Sequence, residues 1–349
     1  MPDLVLLTGI SGFLGGHVAL ELLKQGFRVR GSVRDLAKAE KVKATLGRAG
    51  ADLTRVEFVA LDLNSDAGWP DAVRGVRFLQ HVASPFVSRM PRDRMDLIRP
   101  AVEGTRRALD AALAGGVERV VLTSSMAAAA YGHDASRTKP FGPDDWTDLN
   151  GRGVNAYVES KTRAEREAWT IMDRAGRHND LVVINPNYIL GPLLDDDPGT
   201  SAALIARLLD GSMPMTARFY FPMVDVRDVA EAQVKAMTAS EAGGHRFPMG
   251  SRPMPFVEIA EYLRNAMPEF SSRLPRREAP DWLVKMFAFV DPDMRGNAGE
   301  VGVVRSTDAS AAERLLGHAM VPPETAILET ARDLVAHGIV TAPSATKKG

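Results

Sequence analysis

Thr8-Gly9-Ile10-Ser11-Gly12-Phe13-Leu14-Gly15-Gly16 is the stretch that decides the fold. Before it, Leu4-Val5-Leu6-Leu7 is an unbroken apolar run, as expected of a strand buried on both faces. After it, Val18, Ala19, Leu22 and Leu23 have the spacing of a helix packed on one face, ending near Gly26. Strand, glycine turn and helix together point to dinucleotide binding. Gly9 permits the tight turn, Gly12 lets backbone approach a pyrophosphate, and Gly15 lets the helix sit close on the strand. The free N–H groups of the helix start then face the phosphates. Thr8, Ser11, Phe13 and Leu14 complete this cofactor-binding segment.

The rest of the composition narrows the classes. With 43 basic and 44 acidic residues in 349, no field for a polyanion is implied, so nucleic acid is not an expected partner. The absence of cysteine excludes disulfides, thiolate metal sites and a cysteine nucleophile, and no metal site is read. The first strand begins about three residues in, which leaves no room for a signal peptide, and no apolar run is long enough to span a membrane. A cytoplasmic protein with no membrane partner is the default expectation.

Strands and helices alternate over the first half. Strands are read at Phe27 to Val33, Val56 to Leu61, Val76 to Val82, Val117 to Thr123 and Leu181 to Ile184. Helices are read at Leu36 to Leu46, Asp93 to Ala114 and Ala156 to Ala175. This is an α/β pattern, a doubly wound parallel sheet of Rossmann type. Ligands in such sheets lie beyond the carboxyl ends of the strands. At the end of the second strand, NAD binders place an acid and NADP binders tend to place arginine. Arg34 follows Val33 there, with Arg30 and Lys41 in reach, and a guanidinium can clamp a 2′-phosphate bidentately. NADPH is therefore the expected cofactor. Asp62-Leu63 is placed to meet the adenine, and the small residues of Val82-Ala83-Ser84 let the cofactor pass. His81, alone in an apolar strand, reads as structural.

Ser125 ends the fifth strand after Thr123-Ser124 and points into the site. Asn155 reads as the cap of the following helix, which Tyr157-Val158-Glu159-Ser160-Lys161 opens. The i, i+4 spacing puts Tyr157 and Lys161 on one face. A free tyrosine has a pKa of about 10, and a neighbouring ammonium is expected to lower it toward the working range.

These segments together resemble the extended short-chain dehydrogenase/reductases, and within them the dihydroflavonol reductase-like group. That group includes cinnamoyl-CoA reductases and microbial aldehyde and ketone reductases. The resemblance is carried by TGISGFLG (8–15), VRGSVRD (29–35), HVASP (81–85), VLTSS (121–125), YVESK (157–161), NPNYILGP (185–192) and VDVRDVA (224–230). It implies NADPH-dependent reduction of a small-molecule carbonyl substrate with Ser125, Tyr157 and Lys161 as the catalytic trio. It further implies Arg34 and Lys41 at the 2′-phosphate, Asp62 and Leu63 near adenine, and Thr123, Pro186 and Ile189 along the cofactor. Lys161 is expected on the nicotinamide ribose, and Ser125, Met126 and Tyr157 against the substrate. Flavonoid-reducing members carry asparagine five residues after the serine; Ala130 stands there, so a flavonoid substrate is not expected.

Rival readings share parts of this pattern. A nucleotide-sugar epimerase or dehydratase would use the same fold and trio, but dehydratases place an acidic pair after the catalytic hydroxyl, where this chain has Met126-Ala127-Ala128. A hydroxysteroid dehydrogenase of the same superfamily differs only in substrate. A non-catalytic NADP-binding redox sensor could dispense with Tyr157 and Lys161, and both are present. Either a homodimer or a monomer is compatible with the family.

The remainder is expected to build a smaller, mostly helical substrate-binding region. Residues 1–186 form the dinucleotide domain, with 220–245 returning to it; 187–219 and 246–340 form the substrate region. Leu193 to Ser201, acidic and turn-rich, reads as a mobile flap over the substrate. Asp225 and Asp228 read as cap and third residue of a helix running to Ala239. Further helices are expected at Pro255 to Ala266, Pro280 to Phe289, Ala309 to Leu316 and Glu324 to His337. Met213, Met215, Met223, Met249, Met254 and Met286 would either line a permissive pocket or fill core. Thr341 to Gly349 reads as a disordered tail.

Overall fold

A computed structural model describes residues 2–85, 91–287 and 298–343. The last residues of the helix read at Pro280 to Phe289, and most of the tail read at Thr341 to Gly349, lie outside them. Seven strands form one parallel sheet: β1 (Leu4–Thr8), β2 (Arg28–Val33), β3 (Val56–Ala60), β4 (Phe78–His81), β5 (Arg119–Thr123), β6 (Leu181–Pro186) and β9 (Arg246–Met249). Their order is β3-β2-β1-β4-β5-β6-β9, so the chain reverses direction across the sheet between β1 and β4. That switch point opens a crevice at the strand ends, directly above the glycine turn.

Alternation along each strand sorts the core into two layers. Val5 and Leu7 face one side, against α1 (Phe13–Lys24), α2 (Ala39–Arg48), α7 (Val226–Thr238) and α10 (Ser310–Leu316). Leu4 and Leu6 face the other, against α3 (Trp69–Ala72), α4 (Met95–Ala114) and α5 (Ala156–Arg174). Each fully buried leucine stabilises this arrangement by roughly 1.5–3 kcal/mol. This is why the strands read as continuous apolar runs rather than as half-polar ones.

A second, three-stranded sheet of β10 (Pro253–Pro255), β8 (Tyr220–Asp225) and β7 (Tyr188–Leu190) packs with α6 (Gly199–Leu209), α8 (Phe256–Ala266) and α11 (Pro323–Ala336) around its own core. The last described helix before residue 288 is α9 (Asp281–Phe287). Two differences from the sequence reading stand out here. Residues 246–249, expected in the substrate region, form the edge strand of the main sheet beside β6. The second sheet was not foreseen, because its strands are three to six residues long and two of them hold prolines.

The stretch read as a flap is packed rather than loose. The Leu193 N–H donates to Asp333 at 2.7 Å, Leu194 reaches Gly16, and α6 already starts at Gly199. It lies across the glycine turn and α2, on the cofactor side of the crevice. Met223, Met249 and Met254 are buried core, whereas Met215 and Met286 are exposed. No described helix is long and apolar enough to cross a membrane.

Candidate active site

Gly9 has φ +76°, a left-handed conformation that favours glycine. Its carbonyl accepts the Gly12 N–H at 3.0 Å, closing the turn before α1 begins at Phe13. A β-carbon on Gly15 would stand 2.0 Å from that same carbonyl. The turn therefore requires glycine at both places, and it brings the start of α1 hard against the strand end. Thr8 braces it from below: its hydroxyl accepts the Ala83 N–H at 3.1 Å and lies 3.0 Å from His81 Nδ1.

Arg34 is exposed just past β2 and pairs with no described residue. Lys41 is engaged differently from the expectation. Its ammonium donates to Asp196 at 2.6 Å and lies 3.8 Å from Asp195, which hold its pKa up. Asp62 turns into its own loop and accepts the Asn64 N–H at 2.9 Å. Leu63, Ala83, Ser84 and Thr123 line a cavity together with His81 and Lys161. Pro186 ends β6, and Ile189 lies in β7, packed on the first core. Val82 packs on the same core. A cofactor therefore has a glycine cradle, a run of small residues and a free guanidinium along the strand ends.

Ser125 leaves β5 and caps a short turn, its oxygen accepting the Ala127 N–H at 3.1 Å. That leaves its own hydrogen to be donated, and it meets the Tyr157 hydroxyl, where it favours the phenolate. Asn155 caps α5 as expected, accepting the Val158 N–H at 3.0 Å. Tyr157 stands in the first turn with 37% of its surface open, a cleft residue. Even so, the protein packed around the hydroxyl pushes its pKa up, and the Ser125 contact only partly offsets this. The expected lowering by Lys161 does not operate in this geometry. Lys161 is itself pushed down to about 8 by burial, with Glu165 acting the other way. His81, buried, is pushed to about 4 by burial and by the Lys161 charge, so it stays neutral and structural.

Met126 is 3% exposed and packs with Ala129, Ala130 and Phe141, so it offers little to a substrate. Two residues given no role in the sequence reading stand closer to the chemistry. Tyr131 and Tyr188 are hydrogen-bonded to each other, and both interact with Tyr157. The Arg305 guanidinium lies 4.3 Å from the Tyr131 ring and donates to the Ala130 carbonyl at 2.8 Å. Nothing in local spacing announces this cluster, since its members come from three distant segments.

The geometry can now be set against known proteins. Residues 5–250 match the family described as NAD dependent epimerase/dehydratase. The chain belongs to that family. Its members include the extended short-chain dehydrogenase/reductases that the sequence resembles. A tetraketide alpha-pyrone reductase of Arabidopsis thaliana is 33% identical over 272 residues, covering 76% of this chain and 83% of the relative. A cinnamoyl-CoA reductase of Medicago truncatula is 33% identical over 290 residues, covering 80% and 85%. Among solved structures, the yeast methylglyoxal/isovaleraldehyde reductase complexed with NADPH superposes with TM-score 0.80 at 24% identity, over 96% of this chain and 99% of that one. That likeness establishes the shared fold.

Proposed function

We propose that this chain is an NADPH-dependent carbonyl reductase that converts an aldehyde or ketone to an alcohol. The observation that carries the reading is the meeting of the Ser125 and Tyr157 hydroxyls at the strand ends, one helical turn from Lys161. The cofactor fits the residues present: a glycine cradle that a β-carbon would fill, and an unpaired Arg34 where a 2′-phosphate would lie.

NADPH, when bound, supplies the hydride. The chain's residues handle the oxygen and its proton. Tyr157, whose phenol holds its proton firmly, donates it to the carbonyl oxygen as negative charge develops there. Ser125, with its oxygen fixed by the Ala127 N–H, donates its hydrogen to the same atom. By analogy with oxyanion donors, this is worth about 2.7–4 kcal/mol. Lys161, on the same face of α5, would hold the nicotinamide ribose. The Tyr131–Tyr188 pair stands beside Tyr157 and is available to a bound substrate.

The test is NADPH consumption by the purified chain with a panel of simple aldehydes and keto esters. One alcohol formed per NADPH oxidised is expected. No consumption with any carbonyl, together with tightly held NAD in the purified protein, would favour an epimerase instead.

A further inference from the structure

We propose that Glu165 is a positioning residue of this site: its buried carboxylate ties α5 to the strands carrying Ser125 and Pro186 and presents a fixed negative charge to Lys161. The inference rests on the reductase reading. Glu165 lies four residues after Lys161 and eight after Tyr157, on the same face of α5. Its side chain is 0% exposed.

Every group around this carboxyl is a donor. Ser124 Oγ donates to Oε2, Asn185 Nδ2 donates to Oε2 at 2.7 Å, and Arg246 Nε donates to Oε1 at 2.5 Å. Trp169 Nε1 stands at 3.5 Å. A ring of donors requires the ionised, acceptor-only form. Ser124 and Asn185 also lead to the site, while Arg246 anchors the network to the sheet edge. Ser124 precedes Ser125 in the chain. Asn185 precedes Pro186, and its amide donates to the Ser125 carbonyl at 3.2 Å. Arg246 opens β9 and reaches the carbonyl of Pro143 at 2.8 Å and the Trp146 ring at 4.0 Å.

Packing alone does not call for such a group. A buried ion pair costs desolvation, and an apolar side chain could hold α5 on the sheet as well. What an apolar residue could not supply is charge. Among the described residues, the charged and titratable groups facing this region are Lys161 and Tyr157 on the same helix, Arg246 from β9 and, beyond Lys161, His81 from β4. Glu165 is the anion that opposes the effect of burial on Lys161.

The test uses the full chain with ε-13C-labelled lysine, the Lys161 signal being assigned through Lys161→Arg. Glu165→Gln, Arg246→Met and the double variant are compared with the parent. Removing a facing opposite charge should lower the Lys161 midpoint by about one pH unit, in Glu165→Gln against the parent and in the double variant against Arg246→Met. Turnover should fall about tenfold, with NADPH affinity changed less than threefold. Arg246→Met should raise the midpoint, because Glu165 then faces one cation fewer. The double variant removes both buried charges together and keeps the comparison open if Glu165→Gln does not fold. Should neither Gln variant fold, a midpoint in Arg246→Met that stays or falls overturns the proposal. Equal midpoints in the folded double variant and in Arg246→Met overturn it outright. The titration needs no turnover, so a parent protein that reduces no carbonyl counts against the reductase reading alone.

Discussion

Gly15 sits so close beneath Gly9 that a single β-carbon would press to 2.0 Å from the Gly9 carbonyl oxygen. That atom is backbone and already holds the Gly12 N–H, so it cannot move aside without opening the turn. Gly15→Ala should cost about 1–3 kcal/mol of stability, as overpacking does. NADPH affinity should fall at least tenfold, because the α1 N–H groups shift with the turn. Thermal melting and a fluorescence titration with NADPH check both; an unchanged affinity would contradict the cradle.

Arg34 pairs with no described residue where β2 ends, while Lys41 is already engaged by the acidic strap of residues 193–201. Arg34→Ala should weaken NADPH binding by about 1.5–3 kcal/mol, the range for hydrogen bonds to charged groups. NADH, which lacks the 2′-phosphate, should bind as before. Comparing the two cofactors' Kd values in parent and variant decides it; equal losses for both would place the 2′-phosphate elsewhere.

The Lys41–Asp196 pair is solvent-exposed, with side chains 60% and 67% open. Such exposed pairs contribute little, so the strap competes only weakly with a phosphate for Lys41. Asp196→Asn should tighten NADPH binding by up to a few-fold at low salt, and the gain should vanish at high salt. A loss of affinity would show that the strap aids the cofactor instead.

Asp228 is pushed up to about 6, first by burial, and its carboxylate accepts the Val321 N–H at 2.7 Å. The folded value lies above the ordinary 3.8, so ionisation costs stability. That cost is fully present above about pH 6 and disappears as pH falls below 4. Asp228→Asn keeps an acceptor for Val321 and removes the charge. Its Tm should exceed the parent's at pH 7–8 and match it near pH 4; a difference independent of pH would refute the assignment.

Much of this was legible in the chain. The Leu4-Val5-Leu6-Leu7 run, the glycine turn and the Tyr157/Lys161 spacing are local patterns, and local patterns survive in sequence. The Asn155 cap and the Asp225 cap, which accepts the Arg227 N–H at 2.8 Å, are equally local. What escaped was long-range. β9 reads as an edge of the wrong region because Arg246-Phe247-Pro248-Met249 lacks strand character until β6 pairs with it. Lys41 looked free because its carboxylates lie some 150 residues away, in a stretch whose turn-rich composition suggested mobility. Tyr131, Tyr188 and Arg305 meet only in space. The sign of the Tyr157 shift also needed coordinates, since it is set by burial, which outweighs the Ser125 contact.

The central claim is that the Tyr157 hydroxyl delivers the proton to the carbonyl oxygen while hydride reaches the carbonyl carbon. The direct measurement is NADPH oxidation by the parent chain and by Tyr157→Phe with a carbonyl the parent accepts, alongside NADPH titrations of both. Turnover should drop by about 10²–10⁴-fold, with the Kd for NADPH changed less than threefold. A Tyr157→Phe protein that turns over within tenfold of the parent would contradict the account.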